Sequence, residues 1–223
     1  MTGTLKPDYI IPFKLDKNHA KNSLMQYYQK KRFLPKEFST QNQIDKIQGI
    51  YVPFWFFDGI ADGEASYQGS NSSSHRSGDY IITNTKHYSI KRAGTVEFKN
   101  IPADASKKMP DDLMDSIEPF NYSELTDFST AYLPGYLADK YDVTSEKNTP
   151  RVQQRMSGSI LNLLRNTANG YGAVREVDVN TSFSDPKIKY ALYPVYILNT
   201  TWNGNKYVFA MNGQTGKFVG DLP

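Results

Sequence analysis

The chain of 223 residues has no cysteine, so disulfide cross-links and thiolate metal sites are excluded. It also lacks any apolar run near the ~20 residues that a membrane-spanning helix needs, and its mean hydropathy is -0.59. Lys6, Pro7 and Asp8 interrupt the start where a secretion signal would keep an unbroken apolar segment. The chain itself is therefore expected to be soluble. A phosphate-cradling loop is lacking as well: Gly216-Lys217 is followed by Phe218 rather than Ser or Thr, with no glycine-rich turn before it. The three histidines, His19, His75 and His87, are scattered, and no carboxylates pair at an identifiable spacing. These absences predict a protein that is not an enzyme and holds no cofactor in this chain. The net charge of +3 is small, and dense Lys/Arg patches are missing, so charge alone permits nucleic acid without indicating it.

Aromatic residues, by contrast, make up 13% of the chain, with sixteen Tyr and twelve Phe. Their bulk suits a pleated, half-buried surface, which predicts a sheet-rich protein. The densest run is Ile50 to Gly59. Its lack of polar alternation predicts a strand covered on both faces. Aligning Pro53 on Pro194 sets Tyr51 to Asp58 against Leu192 to Asn199, and the same offset matches Asp62-Gly63 with Asn203-Gly204. This echo predicts an internal duplication, each half with its own central strand.

In chain order, Tyr9 to Phe13 reads as an edge strand because Pro12 lacks a ladder donor. Asp16 then caps a helix with Ala20, Leu24, Tyr27 and Tyr28 on one side, and a second short helix is expected over Phe38 to Ile44. Asp62-Gly63 reads as a turn, and Gly69 to Gly78 as a polar loop. Ser72, Ser73, Ser74 and His75 in that loop suggest a nucleophile, but adjacent side chains on a loose loop do not hold a hydroxyl against its base. Tyr80 to Thr83 and Lys86 to Phe98 alternate as long antiparallel strands.

Asp111 to Ile117 reads as a helix, and Phe128 to Tyr141 as another, kinked at Pro134-Gly135. Thr149-Pro150 starts a further helix with the apolar stripe Val152, Met156, Ile160, Leu163 and Leu164, closed at Asn169-Gly170. Val174 to Thr181 and Tyr190 to Thr201 follow as strands. Asn203-Gly204 is a hairpin signal leading to Tyr207 to Met211, and Asn212 to Gly216 turns into Lys217 to Gly220. The Asn-X-Ser/Thr triplets at Asn71, Asn121, Asn180 and Asn199 carry no weight without a secretion signal.

Two sets of residues invite function. Lys86, Tyr88, Lys91 and Arg92, beside His87, offer cations and an aromatic ring on one strand, as a nucleic-acid or protein interaction surface would. Asp58, Asp62 and Glu64 follow the aromatic run, where acids serve a hydrolase or simply mark the strand's exit to solvent.

Four phrases, Tyr51 to Asp58, Ile101 to Ser106, Glu118 to Tyr122 and Ala131 to Asp142, resemble in order a family of uncharacterised bacterial proteins that begin with a TFIIB-type zinc ribbon. Many carry labels related to the primosomal helicase, and many end in a membrane segment. The resemblance implies that this is a middle domain, with a zinc site before Met1 and a membrane anchor after Pro223. It implies a place at the cytoplasmic face of the cell membrane for the whole protein, with membrane contact only through a segment outside this chain; a protein partner is expected from the missing catalytic and ligand constellations instead. The helicase label does not fit the missing phosphate loop. The closing turn with Thr215-Gly216 between two strands looks like the hairpin of PepSY-type, cystatin-like domains.

The expected fold is thus α+β: two cystatin-like helix-on-antiparallel-sheet halves, residues 5–103 and 148–223, joined by a helical segment over 104–147. The leading function is a non-enzymatic interaction or scaffolding domain, with nucleic-acid binding through Lys86, Tyr88, Lys91 and Arg92 as the alternative.

Overall fold

The aromatic run at Tyr51 lies where its uninterrupted apolarity demands, in a central strand with cover on both faces. The computed structural model describes residues 5–30, 35 and 44–220. In chain order these form β1 (Tyr9–Ile10), α1 (Lys17–Gln29), β2 (Gln48–Ser77), β3 (Tyr80–Asp104), α2 (Asp111–Ser116), β4 (Thr126–Asp127), β5 (Leu137–Ala138), α3 (Ser145–Thr167), β6 (Ala173–Trp202), β7 (Asn205–Asn212) and β8 (Phe218–Gly220). Among the described residues the strands belong to one mixed eight-stranded sheet, whose main path runs β3-β2-β6-β1-β4. The segment 38–43 of the expected second helix lies outside the described residues.

The chain divides into two compact units, and β2, β3 and β6 supply residues to both. Unit 1 takes Met1–Phe56, Pro102–Asn148 and Ile188–Pro223. Its strands alternate between two apolar clusters. Phe54, Phe56, Tyr193, Val195 and Ile197 face one side, where Leu113 and Met114 of α2 cover them. Tyr196, Leu198, Phe209 and Met211 face the other, under Ala20, Leu24 and Tyr28 of α1. Asp16 caps α1 by accepting the His19 N–H at 2.8 Å. Asn203 and Gly204 both take positive φ, as the tight hairpin between β6 and β7 requires.

Unit 2 takes Phe57–Ile101 and Thr149–Lys187. Here Val152, Met156, Ile160 and Leu164 of α3 are buried at helical spacing, whereas Leu163, expected in the same stripe, is 53% exposed. The opposing positions on β2 are odd-numbered: Ala61, Ala65 and Tyr67 are buried. Ile160 lies over Gly63, and the Tyr171 ring over Gly69. Even-numbered Asp62, Glu64 and Gln68 are exposed. Asn71 lies beside Gly172 and Gly59 beside Ser184, so β2 and β6 run antiparallel here.

The two cystatin-like halves and their duplication are overturned by this sheet-dominated topology. The echoing stretches Tyr51 to Asp58 and Leu192 to Asn199 belong to neighbouring strands, β2 and β6. Phe54 stacks on Tyr193 at 4.2 Å, so within unit 1 they share one core. They resemble each other because both are central strands buried on two faces, which selects the same residue types without any repeated unit. The segment 104–147 is not a helical insert either. Beyond the single short helix α2 it gives two 3₁₀ turns and the strands β4 and β5. Pro134-Gly135 ends helix formation, Gly135 taking φ +87°. β5 instead pairs parallel with Ile50 and Tyr51, and the Tyr136 ring stacks on Phe13 at 3.9 Å.

Local readings also change. β1 is not an edge, because it lies between β6 and β4, and Pro12 falls beyond its end. α3 begins at Ser145, with Pro150 inside it. Asp62-Gly63 does not turn, and Gly69 to Ser77 continues β2 as a strand.

Candidate interaction face

With α3 covering one side of unit 2, the even positions of β2 are left facing away from it, together with odd positions of β3. Three hollows open along that face. The first, about 380 Å³, is lined by Glu64, Ser66, Lys91, Asp178 and Asn180. The second, about 390 Å³, shares Ser66 with the first and adds Gln68, His87, Ser89 and Arg175. The third, about 200 Å³, shares Gln68, His87 and Arg175 with the second and reaches Ser70. They therefore form one groove across β3, β2 and β6. From Glu64 to Ser70 it runs for about 20 Å at ~3.3 Å per residue.

The groove carries both signs of charge. Glu64 stands with Lys91 at one end, where Asp178 lies at the border, and Arg175 stands beside His87 at the other. Arg175 reaches Gln68 Oε1 at 3.5 Å. Val177, 61% exposed, adds an apolar patch beside Ser66.

Strand alternation divides the four residues singled out from the sequence. Lys86, Tyr88 and Arg92 share the parity of Ile90, which is buried, while Lys91 has the opposite parity; Lys91 and Arg92 both border the first hollow and Tyr88 the second, whereas Lys86 borders none of the three. The Tyr88 ring lies 5.1 Å from that of Tyr171. Arg92 donates from Nε to Thr167 Oγ1 at 3.0 Å, from Nη2 to the Thr167 carbonyl at 3.3 Å, and from Nη1 to the Lys91 carbonyl at 2.9 Å. A cation on the last carbonyls of α3 suits the negative end of the helix dipole. Arg92 thus fastens α3 to β3.

The other candidates are tied into the sheet. The Asp58 carboxylate accepts the Asn100 N–H at 2.8 Å, and Asp62 accepts the Thr95 hydroxyl at 2.6 Å. Only Glu64 of that acidic set faces the groove. Ser72 pairs with Thr85 at 2.8 Å and Ser74 with Thr83 at 2.7 Å, as cross-strand hydroxyl pairs of a ladder. Sequence reasoning missed Ser66, Gln68, Arg175 and Asp178. The alternation from Ala61 to Gly69, small or aromatic on odd positions and polar on even ones, was the signal that could have shown Ser66 and Gln68, whereas Arg175 and Asp178 on β6 lie outside it.

In unit 2 burial raises the Tyr67 hydroxyl, whose residue also lines the second hollow; other perturbed groups lie in unit 1. Burial resists ionisation of Asp139, but hydrogen bonds from Lys108 Nζ at 2.7 Å, the Lys140 N–H and Ser106 Oγ outweigh it and hold the carboxyl below the usual aspartate range. Burial pushes the Tyr51 and Tyr190 hydroxyls up to about 12. Among the described residues no three His, Cys, Asp or Glu side chains are grouped to hold a metal ion. No helix among them is long and apolar enough to cross a membrane.

No protein-family model matches the chain, and no solved structure matches it. Among curated proteins, the chain is 37% identical over 223 residues to the Bacillus subtilis "Uncharacterized protein YdjG". The alignment takes in all of this chain and 65% of that protein, so the chain is similar throughout to part of a longer bacterial protein.

Proposed function

We propose that this chain is a non-enzymatic interaction module that takes an extended segment of a protein partner along the groove of unit 2. The observation that supports this is the uncovered polar sheet face with three confluent hollows, opposite the face that α3 closes. A strand-lined groove of about 20 Å accommodates roughly six residues of extended peptide. Its mixed charges favour a segment bearing both signs. They disfavour nucleic acid, because Glu64 would face phosphates. Arg92, spent on Thr167 and Lys91, is also a poor phosphate ligand.

The test is selection of binders from a displayed random-peptide library, followed by titration against three proteins: the wild type, a Lys91→Glu/Arg175→Glu variant, and Leu163→Ser as a control on the outer side of α3. The charge-reversed face should bind at least about tenfold more weakly, while the control matches the wild type. Failure to select any peptide, or equal binding by the charge-reversed protein, would sink the reading. The resemblance to zinc-ribbon proteins supports a companion proposal, that a zinc site and a membrane segment lie in the longer protein outside this chain. Zinc analysis of that whole protein tests it, and a metal-free preparation that remains folded and complete contradicts it.

A further inference from the structure

Beyond Asn71, where β6 begins beside Gly172, β2 and β3 continue as a two-stranded ribbon, exposed throughout. The hydroxyl pairs Ser72 with Thr85 and Ser74 with Thr83 set its register, which brings Ser77 opposite Tyr80 around a turn with Gly78 at φ +62°. From Asn71 to Ser77 the ribbon extends for about 20 Å. At its end stand three consecutive large apolar residues: Tyr80 and Ile81 are each 76% exposed, and Ile82 is 46% exposed. A solvated turn has no use for such side chains, since each would gain free energy by leaving water.

Alternation sets Tyr80 and Ile82 on one face and Ile81 on the other, so the tip is apolar all round. The cations behind it are Arg76 and Lys86, next to His75 and His87 in sequence, with Asp79 the one acid between Asn71 and His87.

We propose that this ribbon tip inserts into the interfacial layer of a lipid bilayer with anionic headgroups. A rigid protein partner is a poorer match. Three side chains on a narrow tip offer on the order of 400 Å², well short of the ~800 Å² per partner of a stable protein interface. A bilayer accepts a wedge without a complementary pocket. The depth also agrees: two rungs of the ribbon reach roughly 7 Å, within the 5–10 Å that interfacial elements penetrate. Deeper entry is barred because both ribbon edges carry unpaired backbone groups, which must stay among headgroups. Tyr80 suits that level with its ring in the apolar zone and its hydroxyl in the polar one; Arg76, opposite Ile81, meets the anionic surface, and Lys86, opposite Asn71 at the base of the ribbon, adds attraction at longer range. This inference stands on its own observations and does not rest on the groove.

The test is co-flotation of the chain with phosphatidylcholine vesicles, with and without phosphatidylglycerol. The wild type should partition to both and more to the anionic ones. Tyr80→Ser/Ile81→Ser/Ile82→Ser should lose at least about tenfold on both compositions, and Ile81→Asp alone should lose most of the binding. Arg76→Ala/Lys86→Ala should lose only the anionic increment. All these positions are exposed, and circular dichroism checks that each variant stays folded. No partition of the wild type to either vesicle would overturn the inference, as would anionic binding that the triple serine variant retains, which is adsorption by charge. A wild type that shifts duplex DNA through the same tip residues while leaving vesicles unbound would overturn it too.

Discussion

Replacing Gly63 with alanine tests how unit 2 is closed. A Cβ built there lies 3.0 Å from both Cγ1 and Cδ1 of Ile160 and 3.2 Å from Cδ1 of Leu164. Ile160 is β-branched, 1% exposed and held in α3, so it has little room to yield. Overpacking of this kind costs about 1–3 kcal/mol. Removing a strand glycine's backbone freedom returns about 0.5–1 kcal/mol. Gly63→Ala should therefore destabilise by up to about 2.5 kcal/mol. Ile160→Ala alone should cost about 2–5 kcal/mol through lost burial and a cavity. In the double variant the new methyl enters that cavity, the clash vanishes, and the two losses should fall short of their sum by about 1–3 kcal/mol. Urea denaturation of the four proteins, followed by circular dichroism, measures the coupling. Additivity within about 0.5 kcal/mol would refute the packing of α3 on the odd positions of β2, and with it the reason why the even positions stay open.

Two further outcomes concern unit 1. Tyr51 and Tyr190 hold their protons to about 12, whereas an unfolded tyrosine ionises near ~10. Their stabilising contribution is thus complete below about pH 10 and is lost as pH rises through the folded values. Absorbance titration should show a late-ionising tyrosine class that merges with the rest in denaturant, and its absence in the folded protein would contradict their burial. Asp139→Asn should lower the melting temperature at neutral pH. Because the folded carboxyl is depressed, that difference should shrink as pH falls below about 4 and through the folded value, and a difference unchanged by acid would show that the ionised form contributes nothing.

What the sequence made legible was local. Asp16 at the start of α1, the Val152, Met156, Ile160 and Leu164 stripe, and Asn203-Gly204 each announce their structure, because capping, helical period and positive φ act within a few residues. Gly69 to Ser77 was illegible because a ribbon exposed on both faces has no apolar alternation to reveal its period. Its partner, Tyr80 to Thr85, supplies the ladder from a distance. Phe128 to Tyr141 has helical spacing, yet Leu137 and Ala138 satisfy their backbone on β2, a non-local contact that no window of sequence displays. The echo of Tyr51 to Asp58 reported equal burial rather than common descent. Lys91 was found from its charge, but its separation from Lys86, Tyr88 and Arg92 follows from strand parity that the buried Ile90 fixes.

The groove is tested most directly by mapping backbone amide shifts on titration with a selected peptide. Shifts concentrated at Ser66, Gln68, His87, Lys91 and Arg175, saturating together, are the predicted result. Shifts confined to Thr167 and Tyr171 on the α3 side, or to unit 1, would contradict the assignment of the open sheet face as the binding surface.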